Sequence, residues 1–136
     1  MNRSEIISFS KGLPGFEELK QYVLEEHNEV FSYLKSTERE EVSFVVVDPF
    51  PFFPEYEFQA SEEALEEIEF VDGENLEIKC IVTLHSNVQK TTANLLAPLI
   101  INANKKQGKQ IVLHDNGYTA KHLLWPNVIH TEGGDR

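Results

Sequence analysis

Three prolines fall within six positions, at Pro49, Pro51 and Pro54, just after the β-branched run Val45-Val46-Val47. Proline donates no backbone hydrogen bond and fixes its own φ, so neither a central strand nor a helix can run through this segment. A strand must stop at Asp48-Pro49. The aromatic residues that follow, Phe50, Phe52, Phe53, Tyr56 and Phe58, must then be held by rigid irregular chain. Two readings are open. The rings turn inward and plug the end of a barrel, or they form a ledge of anchors that lose little entropy when a partner docks.

The rest of the chain repeats short β-type runs separated by turn chemistry. Glu5 to Phe9 is predicted as a first strand, broken by Gly12-Leu13-Pro14-Gly15. A helical turn is expected over Phe16 to Gln21, then strands over Tyr22 to Glu26 and Val30 to Lys35. Ser43 to Val47 is continuously apolar after its serine, the pattern of a strand covered on both faces. Glu77 to Leu84 alternates, with Ile78, Cys80, Val82 and Leu84 facing one way. Further strands are expected over Leu96 to Asn102, Gln110 to Leu113 and Tyr118 to Leu124. Between the first two, Asn104 to Gly108 is predicted as the turn.

One helix is predicted. Ser61 can cap it, and Glu62 and Glu63 occupy its first turn, where the helix dipole favours negative charge. Leu65 and Ile68 share a face, and Asp72-Gly73 closes the segment. Many short strands with one or two short helices predict a mainly β chain folded as a small closed or nearly closed antiparallel β-barrel. With 136 residues the chain fits one domain, read here as residues 1–126. Residues 127–136 have little apolar content and are expected to form a loose tail.

Charge narrows the function. The formal net charge is -11, and it is unevenly placed: residues 1–78 sum to -15 and residues 79–136 to +4. Between Glu55 and Glu77 there are ten acids and no Lys or Arg. A phosphate backbone would be repelled by that field, so direct nucleic-acid binding is disfavoured and a basic protein partner favoured. The single cysteine, Cys80, excludes an internal disulfide and points to a reducing compartment. No apolar run approaches the roughly 18 residues that span a bilayer, and the first residues do not resemble a signal peptide. A cytoplasmic protein, monomeric when unbound, is the expectation.

Catalytic motifs are missing. The five histidines show no spacing that puts two rings on one helical face for zinc, although a constellation of His85, His114 and Asp115 from separate strands stays open. No nucleophile motif is present, and Cys80 sits on the predicted core face of its strand. Gly12-Leu13-Pro14-Gly15 lacks the Lys-Ser/Thr of a phosphate loop. The helix glutamates have nothing apolar nearby to raise a pKa. The reading is a binding protein without cofactor or metal.

Three features can carry binding. The first is the proline-aromatic segment, with Pro49, Phe50, Phe52, Phe53 and Tyr56 as candidate contacts. The second is Thr92 to Asn102, in which Leu95, Leu96, Ala97, Pro98 and Asn102 form either core or an exposed apolar edge. The third is the acidic helix, where Glu62, Glu63, Glu66 and Glu67 either form a solvated face or steer a basic partner.

In order, these segments resemble the flagellar assembly factor FliW family. The resemblance rests on Gly12-Leu13-Pro14-Gly15-Phe16, Leu34-Lys35-Ser36 and Phe44-Val45-Val46-Val47-Asp48-Pro49. It continues through Pro54-Glu55-Tyr56, Asn94-Leu95-Leu96-Ala97-Pro98 with Asn102, and Gly108-Lys109-Gln110-Ile111. It spans Ile6 to Leu124, with Lys35 standing where the family more often has glutamine. The resemblance implies a compact β-barrel without a cofactor and a partner switch. Such a protein binds the C-terminal region of flagellin. When flagellin is scarce, it binds and antagonises the basic RNA-binding translational repressor CsrA, so that flagellin translation resumes. Two alternatives stay beside it: a flagellin chaperone with no regulatory arm, and a small enzyme with an unrecognised site.

Overall fold

A computed structural model describes residues 4–114 and 117–126. The expected tail and Asp115 lie outside them. Nine strands, one short α-helix and one 3-10 turn follow in chain order. They are β1 (Ser4–Phe9), β2 (Gln21–Glu26), β3 (Phe31–Ser36), β4 (Ser43–Val47), α1 (Glu62–Glu67), β5 (Leu76–Thr83), the 3-10 turn Val88–Lys90, β6 (Thr92–Ala93), β7 (Leu99–Asn102), β8 (Gln107–Gln110) and β9 (His122–Leu123). Hydrogen bonding runs β4-β3-β2-β1-β8-β7-β5, and β5 pairs back onto β4, so seven strands close into a barrel. β6 and β9 extend the sheet beyond the end of β5. Every pairing is antiparallel except β1 with β8, where Ser8 and Phe9 lie beside Gln107 and Gly108 in parallel.

The two-residue period of the strands sorts side chains into separate cores. Ile7, Phe9, Tyr22, Leu24, Leu34, Val46, Leu99 and Ile101 fill the barrel. Val47, Cys80 and Val82 point out through the same wall and form the floor of a second core under Tyr56, Leu95, Leu113 and Leu124. Across β4 and β5 the register is Val45 to Val82, Val46 to Ile81 and Val47 to Cys80. Only the middle pair faces the barrel interior, so the β-branched run is covered on both faces.

The third core is the helix seat. Ala64 of α1 and Ile68, its C-cap, pack on Ile100, the outward residue of β7. Ser61 caps the helix, its Oγ accepting from the Ala64 N–H at 3.1 Å. The helix ends short of Asp72-Gly73. Glu69 adopts a left-handed φ of 57°, the Phe70 N–H donates to the Leu65 carbonyl at 2.9 Å, and the Glu69 N–H donates to that of Glu66 at 3.0 Å. This pair of hydrogen bonds closes the last turn, and Phe70 and Leu65 both pack against the cluster of Ala64, Ile68 and Ile100.

Three local expectations are corrected. Residues 16–20 form successive tight turns with no helix, the Phe16 N–H donating to Leu13 and the Leu19 N–H to Phe16. The β7–β8 turn spans residues 103–106, so β8 begins at Gln107, and Lys106 takes the left-handed φ of 59°. Gly108 lies within the strand. A Cβ there would sit 2.6 Å from Phe9 Cε2 and 3.2 Å from Ile7 Cγ2, so the missing side chain is the space those two residues occupy. The expected strand over Tyr118 to Leu124 is reduced to His122–Leu123.

Candidate docking site

The proline-aromatic segment lies across the outer wall formed by β4 and β5. It does not close a barrel end, because its rings belong to the core that contains Val47, Cys80 and Val82. Two tight turns shape it. Asp48 Oδ1 accepts from the Phe50 N–H at 3.1 Å, the Pro49 carbonyl accepts from the Phe52 and Phe53 N–H groups, and the Phe53 carbonyl accepts from the Tyr56 N–H. The prolines cost this segment no hydrogen bonds, because the donors it uses all come from other residues.

Burial and exposure alternate along the segment. Pro49 and Tyr56 are buried, Phe52 and Phe53 half-buried, and Phe50 is 41% exposed. Tyr56 is the pin. Its hydroxyl donates to the Leu95 carbonyl at 2.8 Å, and its ring meets Tyr118 edge-to-face with centroids 4.8 Å apart. Burial, followed by the neighbouring Cys80, raises the Tyr56 phenol far above its ordinary range. Burial pushes the Cys80 thiol up to about 12, so that side chain behaves as packing.

These side chains surround a concavity of about 460 Å³. Phe52, Phe53 and Tyr56 form one side, Tyr118 and His122 the other, and Leu95 the floor. His122 Nε2 accepts from the Thr119 N–H at 2.9 Å, its ring lies 6.0 Å from Phe53, and burial lowers its pKa. The Leu95 and Leu96 N–H groups both donate to the Thr119 carbonyl, fixing the floor to the far wall.

The second candidate segment is sorted differently. Leu95, Ala97, Pro98 and Asn102 are buried and Leu96 is half-buried. Asn102 is fully buried with its amide committed: Nδ2 donates to the Ile68 carbonyl and Glu74 Oε1, and Oδ1 accepts from the Asn104 and Lys105 N–H groups. This segment supports the concavity from beneath. Leu95 alone of its five candidates lines it. Barrel closure explains the burial, since β7 is covered inside by the barrel core and outside by α1.

On α1, Glu62, Glu63 and Glu66 are exposed, whereas Glu67 is tied down. Lys109 Nζ lies 2.7 Å from its Oε1 and Lys11 Nζ 2.8 Å from its Oε2, clamping the helix to β8 and to the turn after β1. Hydrogen bonds from Lys109 and then Lys11 lower the Glu67 pKa. Its charge is thus compensated within the chain. Sequence reasoning missed Tyr118, His122 and the clamping lysines, because they reach their positions only through pairings far apart in sequence.

Among the described residues, no three of His, Cys, Asp and Glu gather around a common point, and no helix is long and apolar enough to cross a membrane. His85 Nδ1 accepts from the Asn87 N–H at 2.9 Å. Fold and site together define a small β-barrel with an aromatic concavity on its outer wall.

Known proteins share this architecture. The sequence profile described as FliW protein matches residues 1–124. The flagellar assembly factor FliW of Bacillus pumilus is 41% identical over 126 residues, covering 91% of this chain and 88% of the relative. That of Caldicellulosiruptor saccharolyticus is 36% identical over 129 residues, covering 94% and 85%. A crystal structure of the flagellar assembly factor FliW superposes with a TM-score of 0.83 at 37% identity, covering 88% of this chain and 84% of the other. The chain belongs to the FliW family.

Proposed function

We propose that this protein serves flagellar assembly as a partner switch. It binds the C-terminal region of flagellin and, when free of flagellin, binds and antagonises a CsrA-type RNA-binding repressor, relieving repression of flagellin translation. It does so as a cytoplasmic binding protein without catalysis. The observation that carries this reading is the aromatic concavity. Phe52, Phe53 and Tyr56 are held half-open by turns, pinned by a buried hydroxyl, and ready to receive an apolar side-chain row with little loss of entropy. Family membership supplies the biological setting.

Pro49, Phe50, Phe52, Phe53 and Tyr56 are the proposed contact segment, with Leu95 as floor. Leu96, Ala97, Pro98 and Asn102 hold that floor in place. Glu62, Glu63 and Glu66 are the proposed steering charges for the basic repressor. Glu67 contributes by fixing the helix that carries them.

Calorimetric titration tests the reading, with flagellin and the repressor each added alone and then in competition. Both should bind, flagellin should displace the repressor, and Phe53→Ala should weaken at least one of them about tenfold or more. Charge reversal at Glu63 should slow repressor association at low salt. If neither protein binds the native chain, the reading fails.

A further inference from the structure

A second groove lies beyond Tyr118, and its walls are backbone. β8 continues past Gln110 in extended form, with the Ile111 N–H donating to the Pro98 carbonyl at 3.0 Å and the Leu113 N–H to that of Leu96 at 2.8 Å. Alternation along an extended chain turns the Val112 N–H and C=O to the opposite side. No hydrogen bond meets them there among the described residues, because β1 has already left the edge of β8 after Phe9. Val112 itself is 54% exposed.

Facing this edge, residues 57–60 run without regular structure. The Glu57 N–H donates to the Tyr118 hydroxyl at 3.3 Å, and the N–H groups of Phe58, Gln59 and Ala60 make no hydrogen bond among the described residues. Between the two lies a channel of about 810 Å³, with Phe58 and Ile111 on its apolar side and Glu57 at its rim. Among the described residues no Lys or Arg lines it, and Glu62 and Glu63 begin the helix that follows the far wall.

We propose that this channel docks an extended, cationic peptide segment of a partner protein by strand addition to the free edge at Val112. Exposed strand edges are templates for pairing, and main-chain bonds supply affinity while alternate side chains supply choice. The choice here is set by charge. A strand in the channel turns alternate residues towards Phe58 and Ile111 and the others towards a rim that carries Glu57 and His114 and, among the described residues, no Lys or Arg. The inference concerns a different groove from the aromatic concavity and holds whichever partners fill that one.

The probes are a short alternating lysine–valine peptide, its glutamate–valine counterpart, and the lysine–valine peptide with alternate backbone nitrogens methylated. Binding is read by calorimetry and by amide chemical shifts of the whole chain. The lysine–valine peptide should bind and shift the Val112 amide. The glutamate–valine peptide should not bind, and backbone methylation should weaken affinity tenfold or more. Val112→Pro, which removes the outward N–H and fixes φ while leaving the Ile111 and Leu113 donors in place, should have the same effect, and Glu57→Lys should weaken binding without a change of fold. Absence of binding by the lysine–valine peptide would overturn the proposal. So would binding indifferent to methylation and to Val112→Pro, which would mark mere electrostatic adherence. Concentration-dependent dimerisation that shifts the Val112 amide without peptide would assign the edge to a second copy and would also overturn it.

Discussion

Replacing Tyr56 by phenylalanine separates the pin of the aromatic concavity from its bulk. The ring stays, so its contacts with Phe58 and Tyr118 are kept. The loss is the 2.8 Å bond to the Leu95 carbonyl, which accepts no other hydrogen bond among the described residues. A buried acceptor left without its donor costs about 1–3 kcal/mol, so a value near 2 kcal/mol is expected. For a chain of this length, that lowers the melting temperature by roughly 5–10 °C. Tyr22→Phe is the internal comparison. The Tyr22 hydroxyl is buried in the barrel with no hydrogen-bond partner among the described residues, so its removal should change stability by less than about 0.5 kcal/mol or raise it. Urea denaturation of the two variants, with a shared m-value, measures the difference. If Tyr56→Phe is as mild as Tyr22→Phe, the hydroxyl does not hold the concavity together and the account of the site is refuted.

Further outcomes are expected. Gly108→Ala should cost about 1–3 kcal/mol, because its Cβ would meet the enclosed Phe9 ring at 2.6 Å; Phe9→Leu in the same chain should recover part of that loss, and strict additivity in a double-mutant cycle would contradict the packing argument. The Glu67 carboxyl, followed by NMR, should titrate higher in Lys109→Gln than in Lys11→Gln, and the reverse order would place the dominant contact wrongly. Glu41, Glu67 and Glu74 have lowered folded pKa values, so their stabilisation is present above the unfolded carboxylate range, about 4.3, and fades as pH falls through the folded values. A midpoint in urea that does not fall between about pH 5 and pH 2 would contradict this. Tyr56 and Cys80 have raised values, so stability should fall as pH rises past the unfolded thiol near 8.5, and Cys80→Ala should flatten the start of that limb.

The elements readable in the sequence were those that carry their own period. The β-branched run ending at Val47 and the alternation read over Glu77 to Leu84 need no distant partner to reveal a strand, although β5 ends at Thr83 and Leu84 is exposed, and Ser61 announces the helix by its chemistry. Gly108 shows the limit. Glycine next to Asn104-Lys105-Lys106 looks like turn chemistry, but the reason for it is Phe9, about a hundred residues away on a strand that pairs in parallel. Asn102 and Glu67 show another. Both are polar residues of the kind that serves at surfaces, and both are consumed by partners within the fold, which only tertiary placement discloses. The proline-aromatic segment was legible as irregular. Which of its rings would be buried was not, because that depends on the outward residues of β4 and β5.

Tyr118 stands between the aromatic concavity and the backbone channel and lines both. A single ring cannot be moved to suit one neighbour without altering the room left to the other. Occupants of the two grooves therefore share one thermodynamic account with this side chain. Whatever free energy the first spends or gains in displacing it is carried over to the second, and by linkage the effect is equal in both directions. If both grooves are filled as proposed, a barrel whose strands hold still would couple the two dockings through the one wall they share.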